Sequence, residues 1–102
     1  MDMVPLRLVT IVAEPVLEEQ LTAELKRLGA RGFTVTDSRG EGSRGIRASE
    51  VPGESIRIET VVSAAVADRV LAHVAKHYFP HYAVIAYLST VEVVRGEKYV
   101  QG

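Results

Sequence analysis

Apolar residues recur along the chain with two different periods, which predict strands and helices in alternation. β-Branched and apolar runs with a period of two are typical of strands, and leucines spaced by three and four residues form one face of a helix. A proline in a first turn opens a helix, and a later proline ends one. The predicted elements are a strand at Leu6–Val12, a helix opening at Glu14–Pro15, strands at Gly32–Thr36 and Ser55–Val62, a helix at Ala64–Tyr78 and a strand at Tyr82–Val94.

This βαββαβ order predicts an α+β, ferredoxin-like fold, with a four-stranded antiparallel sheet and two helices on one face. The first and last strands are apolar at both odd and even positions, which is typical of strands buried on both faces. At 102 residues the chain is expected to form a single domain, residues 1–102. Nothing within one such domain remains to cover the second face of the sheet, so we expect a homo-oligomer.

The segment from Asp37 to Glu54 interrupts this pattern, because it is polar, contains four glycines and has no periodicity. A long irregular loop in a small domain is more often functional than idle. Gly40–Gly45 matches G-x-G-x-x-G but precedes a strand, whereas a dinucleotide fold needs a helix there. Glycine backbone amides and the three arginines within Arg39–Arg47 can bind phosphate, so the loop is either an anion site or a solvated connection. Asp37 could form a turn or face a ligand, and the turn is the expected role.

Composition and charge narrow the function classes. The chain has 12 Lys and Arg against 13 Asp and Glu and a net charge of -1, which argues against a nucleic-acid partner, since that needs a strongly basic face. It has no cysteine and no apolar run of about 20 residues, and its N-terminus lacks the bases of a signal peptide. We expect a cytoplasmic protein.

Side chains that could carry chemistry are few. His73, His77 and His81 lie at i, i+4 and i+8, and an i, i+4 pair can chelate a metal. However, His73 is predicted to turn towards solvent, Pro80 interrupts the helix and no carboxylate is expected nearby, so no metal site is predicted. Glu24 is assigned to the solvated face of the first helix. No nucleophile and base are set apart by spacing, so no catalytic residue is predicted and the protein is not expected to be an enzyme.

Three stretches resemble PII-like signal-transduction proteins, in particular the SbtB-type branch associated with bicarbonate transport. They are Gly32–Asp37 with Gly40–Arg47, then Tyr78–Tyr87, and finally Glu92–Gly96. The G-x-G-S-R-x-x-R pattern within Gly40–Arg47 is the most specific part, and the resemblance extends over nearly the whole chain.

The resemblance implies a homotrimer with adenine nucleotides in the clefts between subunits. AMP, cyclic AMP, ADP or ATP would act as an effector, with no tightly bound cofactor. A long flexible T-loop, at about 38–54, would dock onto a partner, a membrane bicarbonate transporter or another inorganic-carbon system. The protein would then be cytoplasmic or peripheral at the inner membrane through that partner.

The resemblance also assigns nucleotide-binding residues, to which Tyr87 is added as a side chain that could flank the base. The expected site consists of Thr36, Gly40, Gly42, Ser43, Arg44, Arg47, Tyr87, Val94, Arg95 and Gly96. Glu97 stands where this branch usually has a basic residue, which favours AMP or cyclic AMP over a polyphosphate tail. The alternative is a CutA-like trimer, which would share the fold and have a structural or metal-linked role through the histidines.

Overall fold

A computed structural model of the chain describes residues 2–40 and 53–95. The predicted βαββαβ order is confirmed. The elements are strand β1 (Met3–Ala13), a short 3-10 turn (Pro15–Leu17), helix α1 (Glu18–Leu28), strands β2 (Thr34–Gly40) and β3 (Gly53–Val62), helix α2 (Ala64–His77) and strand β4 (Ile85–Val94). Across these two ranges, no helix is long and apolar enough to cross a membrane.

The four strands form one antiparallel sheet in the order β2-β3-β1-β4. Ile11 of β1 lies opposite Ile58 of β3 and Ala86 of β4, which places all three on one face. Both helices pack on that face, where Leu21 and Leu25 of α1 and Val70 and Val74 of α2 join the strand residues in one buried cluster. The ferredoxin-like prediction is therefore correct in its four-stranded antiparallel sheet and in its single helical layer.

Local chemistry fixes the ends of the helices. The Ser63 hydroxyl accepts a hydrogen bond from the Val66 amide at 3.2 Å, so α2 begins with a side-chain N-cap. Gly29 ends α1 at φ 116°, a left-handed conformation that costs glycine little. A Cβ on Gly29 would lie 3.1 Å from Cγ2 of Val66, so this glycine also permits the close approach of the two helices.

Several predicted boundaries differ from the structure. The backbone at Pro15 forms a 3-10 turn, and the α-helix begins only at Glu18. β2 starts two residues later than predicted and continues to Gly40, while β3 begins at Gly53. Ladder pairing from Thr34 to Gly40 imposes strand geometry on a polar segment that has no apolar pattern of its own. Asp37 accordingly lies within β2, opposite Ile56, and the turn predicted there is wrong.

Within residues 2–40 and 53–95, no helix packs on the second face of the sheet. Leu8 points to this face and lies opposite Val61 of β3 and Ser89 of β4, while Val12 lies opposite Ile85. Leu8, Val12, Val61 and Ile85 are only partly buried in one chain. The sheet thus carries apolar side chains on both faces, as the sequence predicts, and the described part of the chain covers only one of them.

Candidate nucleotide site

The base of the candidate loop is a regular two-stranded ladder. Ser38 pairs with Ser55, Arg39 with Glu54 and Gly40 with Gly53, so β2 and β3 remain in register to the last described residue on each side. The Ser38 and Ser55 hydroxyl oxygens are 2.8 Å apart and hydrogen-bonded. This ladder fixes the positions of Gly40 and Gly53, the described residues on either side of segment 41–52.

A polar cleft of about 420 Å³ opens beside this ladder. It is lined by Pro15, Asp37, Ser38, Arg39, Glu54 and Ser55. The Arg39 guanidinium can donate to an anion, and Asp37 and Glu54 can accept from hydroxyl or amino groups. Of these residues the sequence singled out only Arg39 as a phosphate ligand. Glu54 and Ser55 were missed because their place in the cleft depends on the register of β3 against β2.

Two of the predicted residues lie at the opposite end of the sheet. Val94, the last residue of β4, pairs with Met3 at the start of β1, and Arg95 follows it with φ 64°. A left-handed conformation at a non-glycine residue is uncommon and ends the strand with a sharp change in direction. At about 3.3 Å per residue, Val94 lies on the order of 40 Å along the strands from Gly40, in a molecule whose longest dimension is 46 Å.

Thr36 and Tyr87 share the face without helices but lie on opposite edge strands. Thr36 of β2 is opposite Arg57 of β3, and Tyr87 of β4 is opposite Thr10 of β1. With two strands between them, the two residues are about 15 Å apart. Both side chains are exposed and therefore accessible to a ligand or to a second chain.

A single chain therefore separates the predicted residues into three places. Thr36 and Gly40 lie on β2, Tyr87 lies on β4 across the sheet, and Val94 and Arg95 lie at the far end. The predicted phosphate ligands Gly42, Ser43, Arg44 and Arg47, together with Gly96, lie outside the described residues.

Comparison with known proteins shows the family to which this chain belongs. The family model for nitrogen regulatory protein P-II matches residues 6–98. The chain belongs to the P-II family. A PII-like signalling protein of Thermus thermophilus, whose crystal structure is known, is 59% identical, with a TM-score of 0.85 and a match over 98% of this chain and 100% of that one.

More distant P-II structures share the fold. CPII from Thiomonas intermedia K12, solved with ADP, AMP and acetate, is 22% identical, covers 99% of this chain and 100% of its own, and has a TM-score of 0.84. GlnK of Bacillus subtilis, solved with ATP, is 24% identical with a TM-score of 0.67, over 85% of this chain and 82% of its own. Membership in P-II favours the first of the two interpretations drawn from the sequence over the CutA-like one.

The two helices of this P-II protein are joined by a partly buried polar cluster. Oε1 of Glu24 accepts a hydrogen bond from the Tyr78 hydroxyl at 2.6 Å and lies 2.8 Å from Nε2 of His73. Two sequence predictions are therefore wrong, because Glu24 does not belong to a purely solvated face and His73 does have a carboxylate beside it. Both errors have one cause, which is that α1 and α2 pack against each other at this point.

The cluster also shifts the pKa values of Glu24 and Tyr78. Burial acts to raise the pKa of Glu24, but hydrogen bonds from Tyr78 and His73 outweigh it, so the pKa lies below the ordinary value of a glutamate. Burial, followed by the Glu24 carboxylate, raises the pKa of Tyr78 well above that of an ordinary tyrosine. Glu24 is therefore a carboxylate and Tyr78 a neutral phenol at neutral pH.

Proposed function

We propose that this P-II protein is a non-enzymatic signalling protein that binds an adenine nucleotide between subunits of a homotrimer. PII-like proteins are trimers that bind adenine nucleotides, and proteins of this family are regulators rather than catalysts. Structural neighbours from Thiomonas intermedia contain ADP and AMP, and three of them contain bicarbonate with ADP. Through the loop around 41–52, the protein would regulate an inorganic-carbon partner such as a bicarbonate transporter, in the manner of the SbtB-type branch.

The separation of the predicted residues within one chain carries this proposal. Gly40 and Val94–Arg95 belong to opposite ends of a sheet about 40 Å long, so one copy cannot bring them to one small ligand. A second copy can place its Val94–Arg95 end beside the loop base of the first. The apolar face that carries Leu8 and Val61 offers the surface on which copies would associate.

In the proposed site, the loop residues Gly42, Ser43, Arg44 and Arg47 hold the phosphate, and Thr36 and Gly40 border it on the same subunit. Tyr87 flanks the base, and Val94, Arg95 and Gly96 of the adjoining copy close over the ligand. Because Glu97 replaces the usual basic residue, a polyphosphate tail lacks a cation there. AMP or cyclic AMP is therefore the favoured ligand, ahead of ADP and ATP.

The loop would act as the switch. Arginines that neutralise a bound phosphate favour one arrangement of the loop, and loss of the ligand releases it, which is an order–disorder transition. A nucleotide shifts this equilibrium only by its difference in affinity for the two loop states. A partner that contacts one loop state would then sense the nucleotide.

Nucleotide titration calorimetry tests the phosphate ligands. Arg44→Ala and Arg47→Ala should each weaken the binding of AMP by about 1.5–3 kcal/mol, which is roughly 10- to 150-fold in affinity. This is the contribution of one hydrogen bond to a charged group. Arg27→Ala, at an exposed position in the last turn of α1, is the matched control and should leave affinity unchanged. Unchanged affinity in both loop variants would reject the assigned site.

Mixed trimers test whether the site is shared between copies. One parent carries Arg44→Ala with Arg47→Ala, the other carries Arg95→Ala, and the two are unfolded together and refolded. Each parent alone should bind AMP weakly, while mixed trimers regain intact sites wherever a native loop meets a native Arg95. If mixing restores no high-affinity binding although trimers form, the ligand is not held between subunits.

The transporter connection needs a cellular assay. In a strain that lacks this protein, the wild-type chain and Arg27→Ala should restore normal control of bicarbonate uptake, whereas Arg44→Ala with Arg47→Ala should not. Identical uptake in all strains would reject the inorganic-carbon partner and leave the nucleotide site standing.

A further inference from the structure

A second group of chemically capable side chains lies away from the candidate nucleotide site. His73 and His77 occupy successive turns of α2, and their ring centroids are 4.5 Å apart. Glu24 of α1 lies against His73, with 2.8 Å between Oε1 and Nε2. His77 is exposed and His73 is partly so, which gives a dissolved ion access to the pair.

The hydrogen bonds of Glu24 determine which nitrogen of His73 is free. An ionised carboxylate only accepts hydrogen bonds, so Nε2 of His73 must carry the proton that Oε1 of Glu24 receives. In the neutral imidazole, the lone pair is then on Nδ1. A histidine that donates one N–H to a carboxylate while its other nitrogen remains a ligand is the usual arrangement at protein metal centres.

The two imidazoles can reach one ion. With metal–nitrogen bonds of about 2.0–2.1 Å, two ligand nitrogens on one cation lie roughly 3–4 Å apart, and rings 4.5 Å apart can present nitrogens at that spacing. Within residues 2–40 and 53–95, no three His, Cys, Asp or Glu side chains converge to hold a metal. Any site here has two protein ligands, with water in the remaining positions.

We propose that His73 and His77 form a two-histidine site for a divalent transition-metal cation, with Glu24 as the positioning residue that holds His73. Imidazole nitrogen suits Zn²⁺, Ni²⁺ and Cu²⁺, whereas Mg²⁺ and Ca²⁺ prefer oxygen. With only two protein ligands the ion is exchangeable. The site spans α1 and α2 and uses no residue of the proposed nucleotide cleft.

Titration of the full chain, free of any polyhistidine tag, with Ni²⁺, Cu²⁺ and Zn²⁺ tests this proposal. One ion should bind per chain, and His77→Ala should weaken binding at least 10-fold because it removes the chelate. Glu24→Gln should weaken it about 10-fold, the lower end of the effect of losing a carboxylate behind a ligating histidine. His81→Ala, an exposed histidine outside the pair, is the matched control and should bind like the wild type.

Electron paramagnetic resonance of the Cu²⁺ complex gives a readout that a purely structural role would not change. The wild type and Glu24→Gln should show coupling to two nitrogens, and His77→Ala should lose one. The proposal is overturned if no ion binds, if His77→Ala binds as tightly as the wild type, or if His81→Ala reduces binding as much as His77→Ala does. Circular dichroism of each variant separates loss of binding from loss of fold.

Discussion

Replacement of Tyr78 by phenylalanine isolates one hydrogen bond between the two helices. Tyr78 is 0% exposed, and its hydroxyl donates to Glu24 Oε1 at 2.6 Å. Phenylalanine keeps the buried ring and deletes the hydroxyl, and with it this bond to a charged acceptor. Such bonds contribute about 1.5–3 kcal/mol to stability. Since His73 still donates to the same oxygen and Gln20 also hydrogen-bonds the carboxylate, Glu24 keeps other partners, and we expect a loss of about 2 kcal/mol at pH 7.

The size of this loss should depend on pH. The hydrogen bonds lower the folded pKa of Glu24 below its unfolded value, so their stabilisation is fully present above the unfolded pKa, about 4.3. It is lost as pH falls through the folded pKa, where the carboxylate becomes neutral. As the pH falls through the folded pKa of Glu24, the Tyr78→Phe penalty should therefore shrink towards the roughly 0.5–1.5 kcal/mol of a neutral hydrogen bond.

Urea unfolding followed by circular dichroism measures both effects, at equal protein concentrations because assembly contributes to stability. Tyr82→Phe is the matched control, since Tyr82 is 40% exposed and its hydroxyl makes no hydrogen bond to any other described residue; it should change stability by less than about 0.5 kcal/mol. The reasoning fails if Tyr78→Phe is as mild as Tyr82→Phe at pH 7, or if its penalty does not decrease when the pH is lowered until Glu24 is protonated in the folded state.

Two further substitutions test the packing of the helices and the second sheet face. Gly29→Ala places a Cβ 3.1 Å from Val66 at a left-handed φ of 116° and should cost about 1–2 kcal/mol in urea unfolding. Gly32→Ala, with nothing within 4 Å, is its control, and equal effects would contradict the packing argument. Leu8→Asp places a charge on the apolar face without helices and should reduce the sedimenting mass to that of one 11.1 kDa chain. Val16→Asp, at an 80% exposed position in the 3-10 turn, should leave assembly intact; a trimeric Leu8→Asp protein would show that copies associate elsewhere.

The element order could be predicted from the sequence because each buried element has a clear hydrophobic period. β2 could not be delimited in the same way. Between Thr34 and Gly40 only Val35 is a large apolar residue, and the strand exists because β3 offers a continuous ladder beside it. Strand formation in such a segment depends on its partner more than on its own propensity. The same register places Glu54 and Ser55 in the cleft, which no local pattern indicates.

The polar cluster was missed for a related reason. Glu24 lies at the edge of the leucine stripe of α1, a position that the helical period predicts to be exposed to solvent. Its partners His73 and Tyr78 lie about fifty residues later, on and just beyond α2. They come together only because the two helices cross, and the spacing of residues along either helix does not indicate that crossing. The sequence showed the spacing of the histidines, but it did not indicate the carboxylate that orients His73.

In the proposed shared site, the length of the sheet would link nucleotide binding to assembly. If the loop base of one copy and the Arg95 end of another hold the same ligand, then nucleotide binds the associated state in preference to the separate chains. Mass action then requires that ligand strengthen assembly and that assembly strengthen ligand affinity by the same factor. A site contained in one chain would impose no such reciprocity. With such a shared site, the opposite placement of Gly40 and Val94 would make the subunit interface part of the sensor, and a change on the apolar sheet face that weakens assembly would weaken nucleotide binding as well.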